Sequence, residues 1–240
     1  MPNHVFNKLT VAGDPKMVRH FFKTINGGFD EEGHPLFIDF NKIIPMPEAL
    51  EIDSSTRSDK ALKLYTEFTK ESAGIATLGV ALGDKGAAET EKMVADLLTK
   101  YEKITKDDPN LLKDGEQLFN NIRDYGAPTW YEWCNKNWGT KWNAYSQERF
   151  DENTLFFQTA WAGVPKLMQK LSEQYPDVIL SYQFAEEQWG MNTGNYEFDG
   201  GVCMFEYQPQ DHSPDANKIA EELLGQPENE DEDDWEQGDD

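Results

Sequence analysis

Five of the seven tryptophans of this chain fall between Trp130 and Trp161, and that stretch limits what the chain can fold into more than any other. Its first part, Thr129-Trp-Tyr-Glu-Trp-Cys-Asn-Lys-Asn-Trp-Gly139, reads as a short helix. Thr129 offers an N-cap oxygen, and Glu132 three residues on closes a capping box. At helical spacing Trp130, Trp133, Cys134 and Trp138 share one face, while Glu132, Asn135 and Lys136 turn away. Gly139 suits a left-handed stop. Helically spaced indoles belong to a core, so Trp133, Trp138, Trp142 and Trp161 are expected on inward faces of this helix and the two strands after it.

The flanking segments supply the layers. Val5, Asn7, Leu9 and Val11 alternate with Phe6, Lys8 and Thr10 as a strand over residues 4–12. Asp14 then caps a helix with Pro15 in its first turn and an apolar stripe from Met17 to Ile25. Leu36 to Phe40 reads as a second strand, broken by Pro45-Met46-Pro47, which predicts a β-α-β unit with parallel strands and a right-handed crossover. From Glu48 to Tyr125 the period is helical. Beyond the tryptophan-rich helix, Lys141–Phe150 and Thr154–Trp161 read as strands joined at Asp151-Glu-Asn, and Pro165 opens a helix that ends at Tyr175-Pro176. Val178–Phe184 is the next strand, followed by a hairpin turning at Asp199-Gly200 and a short helix near Ile219 to Leu224.

This order predicts an α+β protein: a ferredoxin-like split β-α-β sheet with extra hairpin strands and a helical insertion. The expected divisions are an N-terminal β-α-β half at 1–47, the insertion at 48–125, the tryptophan-rich helix and C-terminal half at 126–224, and an acidic tail at 225–240. That tail holds nine carboxylates and no cation, so it is expected to be disordered. The word ferredoxin describes the fold alone, because an iron–sulfur cluster needs about four cysteines and the chain has two.

Charge and cysteine content narrow the function classes. The net charge is −23, and removing the nine tail carboxylates still leaves −14 on the rest. Such a field opposes phosphate backbones and favours basic partners or simple solubility. Cys134 and Cys203 give neither a disulfide framework nor a metal spacing, and are expected to be free buried thiols. His4, His20, His34 and His212 are scattered, so no metal and no cofactor is expected. The start of the chain lacks the basic and apolar regions of a signal peptide, and the low-charge run Gly74 to Gly83 is too short to span a bilayer. A cytoplasmic protein is expected.

Several segments resemble a phage- and plasmid-encoded family of uncharacterised proteins with a YubB-type ferredoxin-like domain. They are Asn3-His-Val-Phe-Asn-Lys-Leu-Thr-Val-Ala-Gly13, Asp39-Phe-Asn-Lys-Ile-Ile-Pro-Met-Pro47, Trp133-Cys134, Trp138-Gly-Thr-Lys-Trp142, Phe157-Gln-Thr-Ala-Trp161 and Gly190-Met-Asn-Thr-Gly194. The Trp-Gly-Thr-Lys-Trp segment is the most distinctive, and the helices from Glu48 to Tyr125 carry no such motif. The resemblance implies a fold and a mobile-element origin, and brings no activity with it.

Glu186-Glu187, followed by Trp189-Gly-Met-Asn-Thr-Gly-Asn195, is the strongest candidate for chemistry. Two carboxylates could form an acid–base pair of a small hydrolase if burial pushed their pKa values apart. Neighbours on a strand point to opposite faces, however, so an exposed loop is the plainer reading. Trp189, Asn192, Gly194 and Asn195 are the corresponding ligand-binding candidates. A tryptophan platform for nucleic-acid bases would need a basic groove, and only Lys136, Lys141 and Arg149 lie near. The reading that follows is a non-enzymatic accessory protein acting by binding a host or phage partner. Its alternatives are an acidic nucleic-acid mimic that blocks a host defence nuclease, and the hydrolase.

Overall fold

The computed structural model describes residues 3–30 and 32–225. Residues 226–240 of the acidic tail expected to be disordered, Trp235 among them, lie outside the described residues. The element order is β1 (His4–Gly13), α1 (Pro15–Ile25), β2 (Gly28–Phe29), β3 (Pro35–Leu36), α2 (Thr56–Leu82), α3 (Ala87–Ile104), α4 (Leu111–Tyr125), α5 (Trp130–Asn137), β4 (Tyr145–Arg149), β5 (Thr154–Ala160), α6 (Pro165–Gln174), β6 (Val178–Glu186), β7 (Gly194–Asp199), β8 (Val202–Tyr207) and α7 (Pro214–Leu224). The chain separates into a sheet unit, up to Pro45 and from Asn135 onward, and a helical unit, Met46–Cys134.

In the sheet unit six strands run in the order β4-β5-β1-β6-β7-β8, and every neighbouring pair is antiparallel. Numbering β1, β4, β5 and β6 as first to fourth gives 2-3-1-4, the ferredoxin-like order. Two crossovers, one through α1 and one through α6, each skip a strand, as a split β-α-β requires. The β7–β8 hairpin widens the sheet beyond β6. Its turn is Gly200-Gly201, both left-handed at φ 52° and 84°, the geometry that a two-residue turn between twisted strands demands.

Three expectations are corrected here. Leu36 to Phe40 is no sheet strand: Pro35–Leu36 pairs only with Gly28–Phe29, and Phe40–Lys42 is a turn of 3₁₀ helix. The partner of β1 across the first crossover is instead β4, so the helical unit interrupts the first β-α-β unit, where it was expected to follow a completed half. Side chains explain the difference. Ile38 N–H donates to Gln147 Oε1 at 2.8 Å, Gln147 Nε2 donates back to the Ile38 carbonyl at 2.9 Å, and Phe40 N–H donates to Asn143 Oδ1 at 2.9 Å. Ile38 and Phe40 are thus buried with their backbone satisfied and need no ladder. Lastly, β4 starts at Tyr145, where a strand from Lys141 was expected, and a bulge follows at Ser146, φ 47°.

A polar network sits inside the sheet unit. Asn7, Thr159 and Tyr182 are all at most 1% exposed. The Asn7 amide donates to the carbonyls of Val5 (2.8 Å) and Phe157 (3.2 Å) and to Thr159 Oγ1 (3.0 Å). Thr159 Oγ1 donates onward to the Ala162 carbonyl. The Tyr182 hydroxyl donates to Asn7 Oδ1 at 2.5 Å and accepts from Val164 N–H at 2.7 Å, which ties β1, β5 and β6 to the start of α6.

In the helical unit Ala61, Leu64, Leu97, Tyr101, Leu111 and Leu118 form the core. Gly115 lets α4 approach α2 closely, since a Cβ there would stand 2.2 Å from the Ala61 carbonyl oxygen. Arg57 clamps the connections by pairing with Asp108 at 2.8 Å and Asp114 at 2.7 Å. Cys134 is buried, and burial pushes its thiol up to about 12, so it is no nucleophile at neutral pH. Cys203, expected to be buried, is only half-buried on edge strand β8. Among the described residues no helix is long and apolar enough to cross a membrane.

The network makes a sharp prediction. Tyr182→Phe strands Asn7 Oδ1 and Val164 N–H without a partner, and should lower stability by about 1–3 kcal/mol in urea unfolding. Burial also drives the Tyr182 phenol well above its ordinary value. The folded state therefore favours the neutral phenol, a contribution intact below the unfolded value near 10 and lost as pH rises above it. Stability should decline from that pH upward, and more steeply in wild type than in Tyr182→Phe. A variant as stable as wild type would mean that the network does not hold the sheet.

Candidate functional site

The four tryptophans expected in the core divide evenly. Trp133 and Trp138 are buried at 6% and 4% exposure, whereas Trp142 and Trp161 stand 41% and 51% exposed. Trp138 packs edge-on to Phe40 and donates its indole N–H to the Ile44 carbonyl at 2.9 Å. Trp142 lies in the turn between α5 and β4, so it has no inward strand position. Along β5 the residues Leu155, Phe157 and Thr159 are buried in alternation, but the strand ends at Ala160. Trp161 follows with φ 73°, and this left-handed step carries its ring out of the alternation.

A bulky residue in the left-handed region is an outlier, and such strain concentrates where ligands bind. A second left-handed residue is bonded to the first. Asn192 has φ 44°, and its Nδ2 donates to the Trp161 carbonyl at 3.3 Å and to Glu186 Oε2 at 3.2 Å. Asn3 Nδ2 donates to the other oxygen, Glu186 Oε1, at 2.6 Å. The neighbouring backbone closes the knot, with Trp161 N–H donating to the Asn3 carbonyl at 3.0 Å and Glu187 N–H to the His4 carbonyl at 2.8 Å.

A cation lies over the exposed rings. Lys141 Nζ is 3.9 Å from the Trp142 ring centroid and 5.9 Å from that of Trp161. Tyr145 meets Trp142 edge-on at 6.3 Å. Its hydroxyl donates to the Thr159 carbonyl at 3.1 Å and lies 2.9 Å from His4 Nδ1. Burial, and after it the Glu187 carboxylate, push the Tyr145 phenol up. Tyr145 also borders an open recess of about 420 Å³ with Asp30, Glu32 and His34. The Asp30–His34 pair there is exposed.

Residues 141–232 match the family model of a ferredoxin-like domain in Api92-like protein. The matched part begins at Lys141 and contains Trp142, Tyr145, Trp161, Glu186, Glu187 and Asn192. The chain is also similar, at 10% identity and a TM-score of 0.40, to the crystal structure of protein api92 from Yersinia pseudotuberculosis, over 88% of this chain and 99% of that one. Among curated proteins none matches the chain.

The candidates from the sequence separate into anchors and site residues. Glu186, expected in an exposed loop, is the buried last residue of β6 with both oxygens held by amides. Glu187, in the bend after β6, is exposed, so the pair is one buried and one solvated carboxylate. Gly194 and Asn195 are ladder residues of β7, opposite Phe184 and Gln183. Gly194 is small because Phe184 fills the space, a Cβ there meeting the ring at 2.5 Å. Trp189 is half-buried in the turn before β7. Only Asn192 of those four joins the site. Sequence reasoning placed Lys141 near the tryptophans without giving it a role, and it missed His4 and Tyr145 as site residues. Among the described residues no three His, Cys, Asp or Glu side chains gather where a metal could bind.

Exposure and strain predict opposite responses at two tryptophans. Trp161→Gly relieves the left-handed backbone and removes a half-exposed ring, so unfolding stability should stay within about 1 kcal/mol of wild type. Trp138→Ala empties a buried site and should lose about 3–5 kcal/mol. Equal losses in urea unfolding would mean that Trp161 is a core residue after all.

Proposed function

We propose that this chain is a non-enzymatic accessory protein of a phage or plasmid that acts in the host cytoplasm by binding a basic protein partner through Trp142 and Trp161. One observation carries the reading: Trp161 is half exposed on a left-handed backbone that a second left-handed residue, Asn192, holds in place. Half-exposed indoles beside a tyrosine are the residue types that dominate binding hot spots. The charge of −23 supplies the other half of the argument, since it attracts basic surfaces and speeds their encounter while repelling nucleic acid. The basic channel of a defence nuclease is one partner surface of that kind. Hydrolysis is the weaker reading, because amides occupy both oxygens of Glu186.

The test is capture from a bacterial host lysate by immobilised full-length wild type and by a Trp142→Ala/Trp161→Ala double variant with a matching melt. Wild type should retain a basic protein whose capture falls about tenfold or more in the double variant, as loss of hot-spot residues does. Its association should also slow above physiological salt, where the screening length is about 8 Å. Equal capture of the same proteins by both forms would remove the tryptophans from the function.

A further inference from the structure

We infer that the Trp142–Trp161 pair is a cage for the guanidinium of an arginine in a basic protein segment, and that Lys141 is its resident occupant until the partner's arginine displaces it. The inference rests on the binding reading above and adds the ligand's chemistry.

The geometry already contains a cation in place. Indole faces are the strongest aromatic partners of cations, effective within about 6 Å of the centroid, and Lys141 Nζ satisfies that distance to both rings. Glu187 offers a counter-charge nearby. It is exposed, its N–H donates to the His4 carbonyl, and His4 Nδ1 stands 2.9 Å from the hydroxyl of Tyr145, which packs edge-on against Trp142. A planar guanidinium can stack on an indole and donate in parallel to a carboxylate, which a compact ammonium cannot do. It is also more weakly hydrated, so less water must be stripped from it when it enters between the rings. Lys141 can yield, because its strongly hydrated ammonium returns to solvent on a flexible stem. A phosphate at the same place would face Glu187 and a chain at −23. The site therefore discriminates by charge sign as well as by shape.

The experiment uses full-length protein and three probes: acetyl-tetraarginine amide, the neutral acetyl-tetracitrulline amide, and oligodeoxythymidine. Binding is read by calorimetry and by quenching of tryptophan fluorescence. Lys141→Met keeps the stem and removes the resident charge, and it should bind tetraarginine about tenfold more tightly than wild type. Trp161→Ala and Glu187→Gln should each weaken binding several-fold, and tetracitrulline should bind to none of the forms. Lys141→Met binding no tighter than wild type would overturn displacement. Tetraarginine held equally by the Trp142→Ala/Trp161→Ala variant would place the attraction elsewhere on the acidic surface and overturn the cage. Binding of oligodeoxythymidine that depends on Lys141 would make the ligand a nucleic acid and overturn it too. The two readings fail separately: loss of lysate capture in the double variant, with no preference for arginine over citrulline, removes the guanidinium and leaves the binding surface.

Discussion

The sheet depends on the buried polar contact of Asn7 with Thr159 and Tyr182. Three strands that expose Asn7, Thr159 and Tyr182 to one interior would each carry a desolvation cost, and together they satisfy one another. The network also fixes register. A slip of β5 or β6 by one residue would leave Asn7 facing apolar side chains while exchanging inward and outward faces along the whole strand. With the register set, His4 pairs with Ala160 on one side and Val5 with Glu186 on the other. The first residues of β1 are thereby flanked by the end of β5 and the end of β6. Asn3, His4, Trp161, Glu186 and Glu187 meet there because the network inside the sheet leaves the strands no other alignment.

Much of this architecture is legible in the sequence, and the illegible part has a definite cause. Alternation at Val5, Leu9 and Val11, the Asp14 cap with Lys16 N–H at 2.8 Å from Asp14 Oδ1, and the proline-led α6 are local signals, and local structure follows them. The α+β class and the ferredoxin-like sheet follow from their order. The misreading of Leu36 to Phe40 came from the same rule applied where it fails. An apolar run looks like a strand, but here Gln147 and Asn143, distant in sequence, supply hydrogen bonds that a neighbouring strand would otherwise provide. No period within a segment can reveal a partner of that kind. Once β3 leaves the sheet, the first crossover must run on to β4, and the helices from Thr56 to Tyr125 become an interruption within it.

The site was legible only in part, for a related reason. Spacing placed Trp133 and Trp138 correctly, since a helix keeps its face over successive turns. For Trp142 and Trp161 the spacing argument assumed strands that extend one to four residues further than they do. Gly139, left-handed at φ 83°, already turns the chain ahead of Lys141, and that turn was the available signal that Trp142 lies outside a ladder. Nothing in the sequence announces a left-handed tryptophan. The pairing of Lys141 with two rings likewise needs the turn before β4 and the end of β5 to be brought together, which is a property of the register.

The strain at Trp161 is the last step of the argument. Left-handed backbone at a bulky residue costs roughly 1–3 kcal/mol and persists only where its surroundings impose it. Here the surroundings are Asn3, which accepts from Trp161 N–H, and Asn192, itself left-handed, which donates to the Trp161 carbonyl. Glu186 is buried to hold both amides in position. Within this chain the expenditure returns little packing, because the ring it aims is left half in solvent beside Trp142. An extended residue at 161 would have continued the β5 alternation and buried its side chain with Phe157. The exposure of the indole is thus set by two left-handed residues and a buried carboxylate, and not by packing within the sheet.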